Sequence, residues 1–432
     1  MRKIAWEGPV TADRVATLLP RAELTIEKAL ADTEVLVDEV RTKGQAALLS
    51  HAEKFDGVRP GSLRLSPSDL KSAAENLEPK LRAAIEISIE RVRKVSESNI
   101  PVTSETVLSD GAKVITRYQP VESVGVYVPG GKAVYPSSVV MNVVAAQAAG
   151  VKRIALASPA QKLFEGKPHP TILATAHLLG VTEVYSIGGA SAVAAFAYGV
   201  KEIGLEPVRM VTGPGNIYVA SAKRLLRGVI GIDSEAGPTE ILIIADNSAN
   251  PDFIAADLIS QAEHDENAAS VLVTDSEQLI ASVEKSLERQ IQKTANRSRV
   301  EISLSGAQSA LVLSESLDQS IEIANEYATE HLEIQTRAPE EVAKKISNAG
   351  AIFLGDFSPV SLGDYLAGSN HVLPTGQQAK FGPGLGPHSF LRPQQLVSYT
   401  KSALQEITQD LETFAKAEGL SGHGDASRIR FS

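Results

Sequence analysis

The chain has 432 residues, 42 Lys and Arg against 52 Asp and Glu for a formal charge of −10, and no cysteine. Its 43% hydrophobic and 22% charged fractions exclude a disordered or fibrous protein, and the length suggests two or three domains at ~150 residues each. An acidic balance without basic blocks argues against nucleic acid or an anionic membrane as partner. The missing cysteines remove thiol catalysis, iron–sulfur clusters and thiolate zinc sites, so any metal must be held by nitrogen and oxygen. The N-terminal MRKIAWEGPVTADRV has neither the apolar core nor the cleavage site of a signal peptide. No run of ~18 uninterrupted apolar residues is present. The chain therefore reads as cytoplasmic.

The first hundred residues read as helical. Residues 26–55 carry Ala29, Leu30, Val35, Leu36, Val40, Leu48 and Leu49 close to helical spacing. Ser66-Pro67-Ser68-Asp69 is a helix start, with Ser66 as cap and Pro67 at the first position. A further helix is predicted from Pro79 to Ser98. Asp110-Gly111, between residues 107–108 and 113–118, predicts a β-hairpin. From Val124 onward, strand-like runs alternate with helical stretches: VGVYV (124–128), RIALAS (153–158), EVYSIG (183–188) and VRMVTG (208–213), with helices over 139–149, 170–179 and 191–198 between them. A second series follows, ILIIAD (241–246), SVLVTD (270–275), ALVLS (310–314) and AIFLG (351–355). Such alternation means parallel sheets covered by helices. The tail differs: a glycine-rich irregular loop over 375–388, then an amphipathic helix over 404–417.

Three glycine turns follow predicted strands: Pro129-Gly130-Gly131, Gly188-Gly189-Ala190 and Gly213-Pro214-Gly215-Asn216. Each is either a tight βα turn or part of a phosphate-binding crevice, where helix N-termini present free N–H groups. No G-x-G-x-x-G fingerprint accompanies them. Five of the eight histidines lie beyond residue 260: His264, His331, His371, His388 and His423. Gln261 and His264 share a helix face at i and i+3, and Asp364 and His371 flank one loop. Glu330 and His331 are adjacent where a helix gives way to a strand-like segment, residues 332–335. An imidazole and a carboxylate side by side suit proton transfer, because one titrates near neutrality and the other activates water. The spacing contains no H-x-x-x-H, so a nitrogen/oxygen metal site and ordinary hydrogen-bonded histidines both remain open at this level.

Six segments, in order, resemble the histidinol dehydrogenase family: VGVYVPGG (124–131), TGPGNIYV (212–219), IDSEAGPTE (232–240), DLISQAEHDE (257–266), YATEHLEIQT (327–336) and SLGDYLAGSNHVLPTG (361–376). The resemblance runs from about residue 30 to 430. It implies oxidation of L-histidinol to L-histidine, the last step of histidine biosynthesis, by two successive hydride transfers to NAD. It implies one Zn2+ per subunit, held by Gln261, His264, Asp364 and His423, that orients the substrate. It implies Glu330 and His331 as the acid–base pair, with His331, Thr239 and Glu418 joining the four metal ligands around the substrate. Tyr127, Ser191 and Asn216 fall at NAD-contacting positions. It implies a homodimer whose C-terminal tail completes the partner's active site, so that Glu418 and His423 act in trans. The roles of His371 and His388 stay open.

The fold expected is α/β, with two Rossmann-like parallel-sheet units, a small N-terminal helical segment and a C-terminal tail. The divisions are residues 1–25, a discontinuous substrate and zinc unit of 26–123 and 237–378, an inserted NAD unit of 124–236, and a dimerisation tail of 379–432. A zinc- and NAD-dependent paralogue acting on another small polar alcohol is the alternative. A zinc hydrolase without cofactor is disfavoured by the glycine turns. A non-catalytic sensor is disfavoured by the intact Glu330–His331 pair. One position departs from the family pattern: Ser191 stands where glutamine is usual, too short for the same reach to NAD. Titration of NAD binding should therefore show a sharp rise in affinity on Ser191→Gln, and an unchanged affinity would refute that assignment.

Overall fold

Strands that read as unbroken apolar runs must be covered on both faces, and two parallel sheets meet that demand here. The computed structural model describes residues 1–22, 26–130, 134–235 and 237–432, with the backbone alone for residues 26–28. Gly131 of the first glycine turn, Ala236 of the 232–240 segment, and the junctions placed at residues 25 and 236 lie at or within the undescribed residues.

The first sheet has five strands in the spatial order Glu183–Ser186, Arg153–Ser158, Ser123–Tyr127, Met210–Thr212 and Gly231–Ile232, all parallel. Val124, Val126 and Leu156 share a cluster with the helices Pro136–Ala148 and Pro170–Leu178. Tyr127, Ala155 and Ala157 share another with the helices Gly189–Tyr198 and Ile217–Leu226. Gly125 is what lets Phe196 lie flat on the central strand, since a Cβ there would sit 2.5 Å from the ring.

The second sheet has six parallel strands in the order Arg2–Ala5, Ala310–Leu313, Ala269–Thr274, Glu240–Ala245, His331–Gln335 and Ala351–Leu354. One face, with Ile241, Ile243 and Leu272, is covered by the helices Pro251–Ala262, Glu277–Ile291 and Arg297–Ser305. The other, with Leu242, Val271 and Leu332, packs against Trp6, Val15 and the helix Leu317–Tyr327.

The expected strands and helices of both series are present, as are the Ser66–Asp69 capping box and the hairpin Ser104–Ser109/Ala112–Pro120. Three arrangements differ from expectation. The N-terminal segment, read as helical, opens with the strand Arg2–Ala5. With Arg2 and Lys3 among its four residues it is a charged edge strand with no apolar run to betray it. The tail contributes the strand Leu391–Tyr399, which pairs antiparallel with Ala112–Pro120, and a short helix Ser421–Arg428 beyond the expected one at Lys401–Ala417. The early helices Ile26–Lys43, Pro67–Glu75 and Pro79–Ser98 pack on helices of the five-stranded sheet, whereas the sequence grouped 26–123 with the later unit. Their apolar stripes match the helix faces around Ile217–Leu226, Pro170–Leu178 and Pro136–Ala148, a match that no periodicity within one segment reveals. Among the described residues, no helix is long and apolar enough to cross a membrane.

Candidate active site

The neighbouring strands Glu240–Ala245 and His331–Gln335 run parallel with His331 beside Ile241. That register sets the residues just before them side by side. Glu330 Oε2 accepts hydrogen bonds from Thr239 Oγ1 at 2.6 Å and from the Glu240 N–H at 3.0 Å. The Thr239 hydroxyl, having given its proton to Glu330, accepts from Gln261 Nε2 at 2.6 Å. His331 Nδ1 lies 3.1 Å from the Glu240 carbonyl oxygen. A carbonyl only accepts, so Nδ1 carries the hydrogen and Nε2 keeps the lone pair. Burial pushes the Glu330 carboxyl up to about 8 against the pull of its two donors. Burial also lowers His331, with Asp364 and the Glu240 carbonyl opposing. Both effects hold the pair largely neutral and ready to exchange protons near neutrality.

Gln261 occupies the last turn of the helix Pro251–Ala262, and His264 follows just past its end. The helix starts at Asn250, whose side chain accepts from Asp252 N, with Pro251 at the first position. His264 Nε2 lies 3.8 Å from Asp364 Oδ2, contributed by the short helix Val360–Tyr365. Because Gln261 Nε2 is committed to Thr239, its Oε1 is fixed in direction, buried and without a partner among the described residues. A buried orphan amide oxygen beside an imidazole and a carboxylate suits a nitrogen/oxygen metal ion. Among the described residues, no three His, Asp or Glu side chains converge as a metal-holding group by themselves. Gln261, His264 and Asp364 thus form a partial set.

The other expected residues divide. Glu418 and His423 are exposed, one capping the helix Lys401–Ala417 and the other in Ser421–Arg428, and no bond joins them to the cluster. His371 belongs to the cluster: Nδ1 lies 3.1 Å from the Asp364 carbonyl oxygen and Nε2 3.2 Å from Ser138 Oγ. Its place in the loop with Asp364 was the only sequence signal for this. His388 turns back on its own loop, 3.0 Å from the Gly384 carbonyl oxygen.

The candidate nucleotide crevice lies at the carboxyl edge of the five-stranded sheet. The Tyr127 hydroxyl accepts from the Gly189 N–H at 3.1 Å, and burial pushes the phenol up to about 12. Asn216 caps the helix Ile217–Leu226, its Oδ1 accepting from the Tyr218 and Val219 N–H groups. Gly213 has φ +115°, and a Cβ there would strike the Tyr127 carbonyl oxygen. Ser191 turns inward, its Oγ 2.8 Å from His51 Nδ1. The sequence reading missed Asp56, which ends the turn of helix Ala52–Asp56 beside Gly188 and is raised to about 6 by burial. A lone Asp in a helical segment carries no signal of that approach.

Fold and site together define an α/β enzyme with two parallel sheets and an enclosed acid–base pair. The family pattern described as histidinol dehydrogenase matches residues 19–431. The chain is 54% identical over 414 residues to the histidinol dehydrogenase of Leifsonia xyli subsp. xyli, covering 96% of this chain and 95% of that one. It is 53% identical over 413 residues to that of Corynebacterium efficiens, covering 96% and 92%. A crystal structure of histidinol dehydrogenase from Elizabethkingia anophelis superposes with a TM-score of 0.94 at 32% identity, over 99% of this chain and 98% of that one. The chain belongs to the histidinol dehydrogenase family.

Thr239→Val keeps the shape of the side chain and removes one of the two donors to Glu330. The Glu330 carboxyl should then titrate roughly 1–2 units higher, read as an upward shift of its infrared carboxyl band midpoint.

Proposed function

We propose that the protein oxidises L-histidinol to L-histidine through histidinal, with two hydride transfers to NAD, a reading that its membership of the histidinol dehydrogenase family supports. The observation that carries the reading at the level of residues is the relay from Gln261 through Thr239 to Glu330, beside a His331 whose tautomer the Glu240 carbonyl sets. His331 Nε2 takes the hydroxyl proton of histidinol as the hydride departs, leaving the aldehyde. The ionised fraction of Glu330 takes a proton from water as the water oxygen attacks the aldehyde carbon, while protonated His331 returns its proton to the aldehyde oxygen, which completes the hydrate and frees Nε2. His331 then accepts the hydroxyl proton of the hydrate as the second hydride leaves and the carboxylic acid forms. Each transfer needs the base deprotonated, which a lowered His331 favours at neutral pH.

Gln261, His264 and Asp364 would hold Zn2+, with His423 as fourth ligand. The ion, when bound, supplies orientation of the substrate's nitrogens and no redox chemistry. Tyr127 and Asn216 are proposed contacts for NAD, with the Ser191 hydroxyl turned toward His51 rather than the cofactor. Thr239 and Glu418 are proposed substrate contacts. The exposed positions of Glu418 and His423 support a homodimer in which each tail serves the partner's site. The proposed units are an NAD unit over 124–236 with the early helices packed on it, a substrate and zinc unit over 237–378, and a dimerisation tail over 379–432. A cytoplasmic location is part of the same proposal.

Two NADH per histidinol, followed by near-ultraviolet absorbance, abolished by chelation and restored by zinc, is the expected stoichiometry. No NADH from an intact, zinc-loaded dimer would turn the reading toward another small alcohol. The trans arrangement has its own test. Mixing an inactive His331→Ala subunit with an inactive His423→Ala subunit should restore about a quarter of the normal activity, since half the dimers regain one whole site. No recovery after subunit exchange would mean that the tail acts in cis.

A further inference from the structure

Alternate residues of the strand His331–Gln335 face the same side of the sheet, so His331, Glu333 and Gln335 point together toward the helix Pro251–Ala262. Leu332 and Ile334 point the other way. The side shared by Glu333 and Gln335 is mainly apolar, lined by Ile241, Ile243, Ile254 and Leu258. Into it the chain places two carboxyl groups that take no part in the steps above: Glu333, 1% exposed, and Asp257, 7% exposed. They hydrogen-bond to each other. Gln335 Nε2 donates to both, at 3.0 Å to Glu333 Oε2 and 3.2 Å to Asp257 Oδ2. The Val360 N–H donates to Glu333 Oε1 at 2.9 Å.

We infer that Asp257, Glu333 and Gln335 form a brace that positions the three elements of the active site, and through them Gln261, Asp364 and His331. Each bonded position lies one structural repeat from the side chain it would place. Glu333 is two residues along the strand from His331. Asp257 precedes Gln261 by four residues on one helix face, and Val360 precedes Asp364 by four on another.

Two carboxylates in contact and out of water cannot both be ionised, so one proton bridges them. Burial raises both carboxyls above the usual carboxylate range, so the pair holds on to that proton. Such a pair costs desolvation that an apolar trio would not. What it adds is direction: an apolar contact slides, whereas a hydrogen bond fixes distance and angle. These are positioning residues, and their role rests on the reading of Gln261, His264 and Asp364 as metal ligands.

The test uses the full-length protein, with zinc affinity measured by competition against a chromophoric chelator, alongside kcat and NAD affinity. Glu333→Ala should weaken zinc ~10–100-fold and lower kcat similarly, leaving NAD affinity unchanged because its crevice lies on the other sheet. Glu333→Gln, which still accepts from Val360 and can donate to Asp257 while losing only the bond from Gln335, should return zinc affinity and kcat to within about fivefold. Should Glu333→Ala fail to fold, Glu333→Asp decides: it keeps the acid but shortens the reach, and should fall below Glu333→Gln in both readouts. Unchanged zinc affinity in Glu333→Ala, parallel loss of NAD binding, or Glu333→Asp outperforming Glu333→Gln would each overturn the brace. Failure of the unaltered protein to take up zinc would instead overturn the metal reading, and the brace with it.

Discussion

Everything at the site depends on one carboxyl group buried where two parallel strands begin. Glu330 stands at the foot of His331–Gln335 and is met by the hydroxyl and the backbone N–H that open Glu240–Ala245. An isolated charge in such surroundings would be forced neutral, and full solvation would leave it an ordinary acid. Two donors against near-complete burial put it between those limits, at about 8. The same bonds do more than tune Glu330. The Thr239 hydroxyl, once it donates to the carboxyl, has only lone pairs to offer Gln261, which fixes the amide and strands its oxygen. The Glu240 residue that gives its N–H to Glu330 gives its carbonyl to His331 and so selects the imidazole tautomer. Its carboxylate is held from behind by Arg21 at 2.5 Å, which keeps a third charge from competing for the site's donors. Slipping the strand by one residue would undo all of these at once.

The two sheets use opposite edges. In the five-stranded sheet the candidate crevice lies at the carboxyl ends of the strands, as open α/β sheets ordinarily arrange it. In the six-stranded sheet the reacting groups lie at the amino ends. The helix Pro251–Ala262 explains this: a helix that follows a strand runs back antiparallel to it, so its last turn, with Gln261, and the residues beyond it, with His264, arrive at the amino edge. The edges are tied by bonds between the units. Ser138 and Met141 of Pro136–Ala148, the helix that follows the central strand of the five-stranded sheet, meet His371 and Asn370, and Gln378 Nε2 donates to the Glu235 carbonyl oxygen at 2.8 Å.

Much of this was legible in the sequence because burial on both faces leaves an unmistakable mark. Runs such as ILIIA at 241–245 have no polar alternation, and the early helix Pro67–Glu75 has a cap as clear as Ser66. The adjacency of Glu330 and His331 and the i, i+3 pairing of Gln261 with His264 were also visible, since both are local. What stayed hidden was assembly. The strands Arg2–Ala5 and Leu391–Tyr399 are edge strands with charged or polar faces, and they owe their conformation to partners about 310 and 280 residues away in the chain rather than to their own pattern. The pairing of Asp257 with Glu333 was invisible for the same reason: two acids 76 residues apart become one proton-sharing unit only when the helix closes over the strand.

Ser191 carries the same lesson to a single side chain. Judged by length alone, a serine in place of a longer amide leaves a gap in the cofactor crevice. Its hydroxyl instead turns into the protein, to the buried His51, whose other ring nitrogen donates to Glu39 at 2.9 Å. Lys43 and then His51 hold that Glu39 carboxyl well below its usual range, so the chain ends on a stable negative charge. Every member has a partner, which a buried polar chain requires. The departure at this position is therefore absorbed beneath the crevice by residues of the first helices, Ile26–Lys43 and Gln45–His51. Those helices pack on the five-stranded unit, and this contact is what makes their grouping with that unit a matter of chemistry as well as of shape.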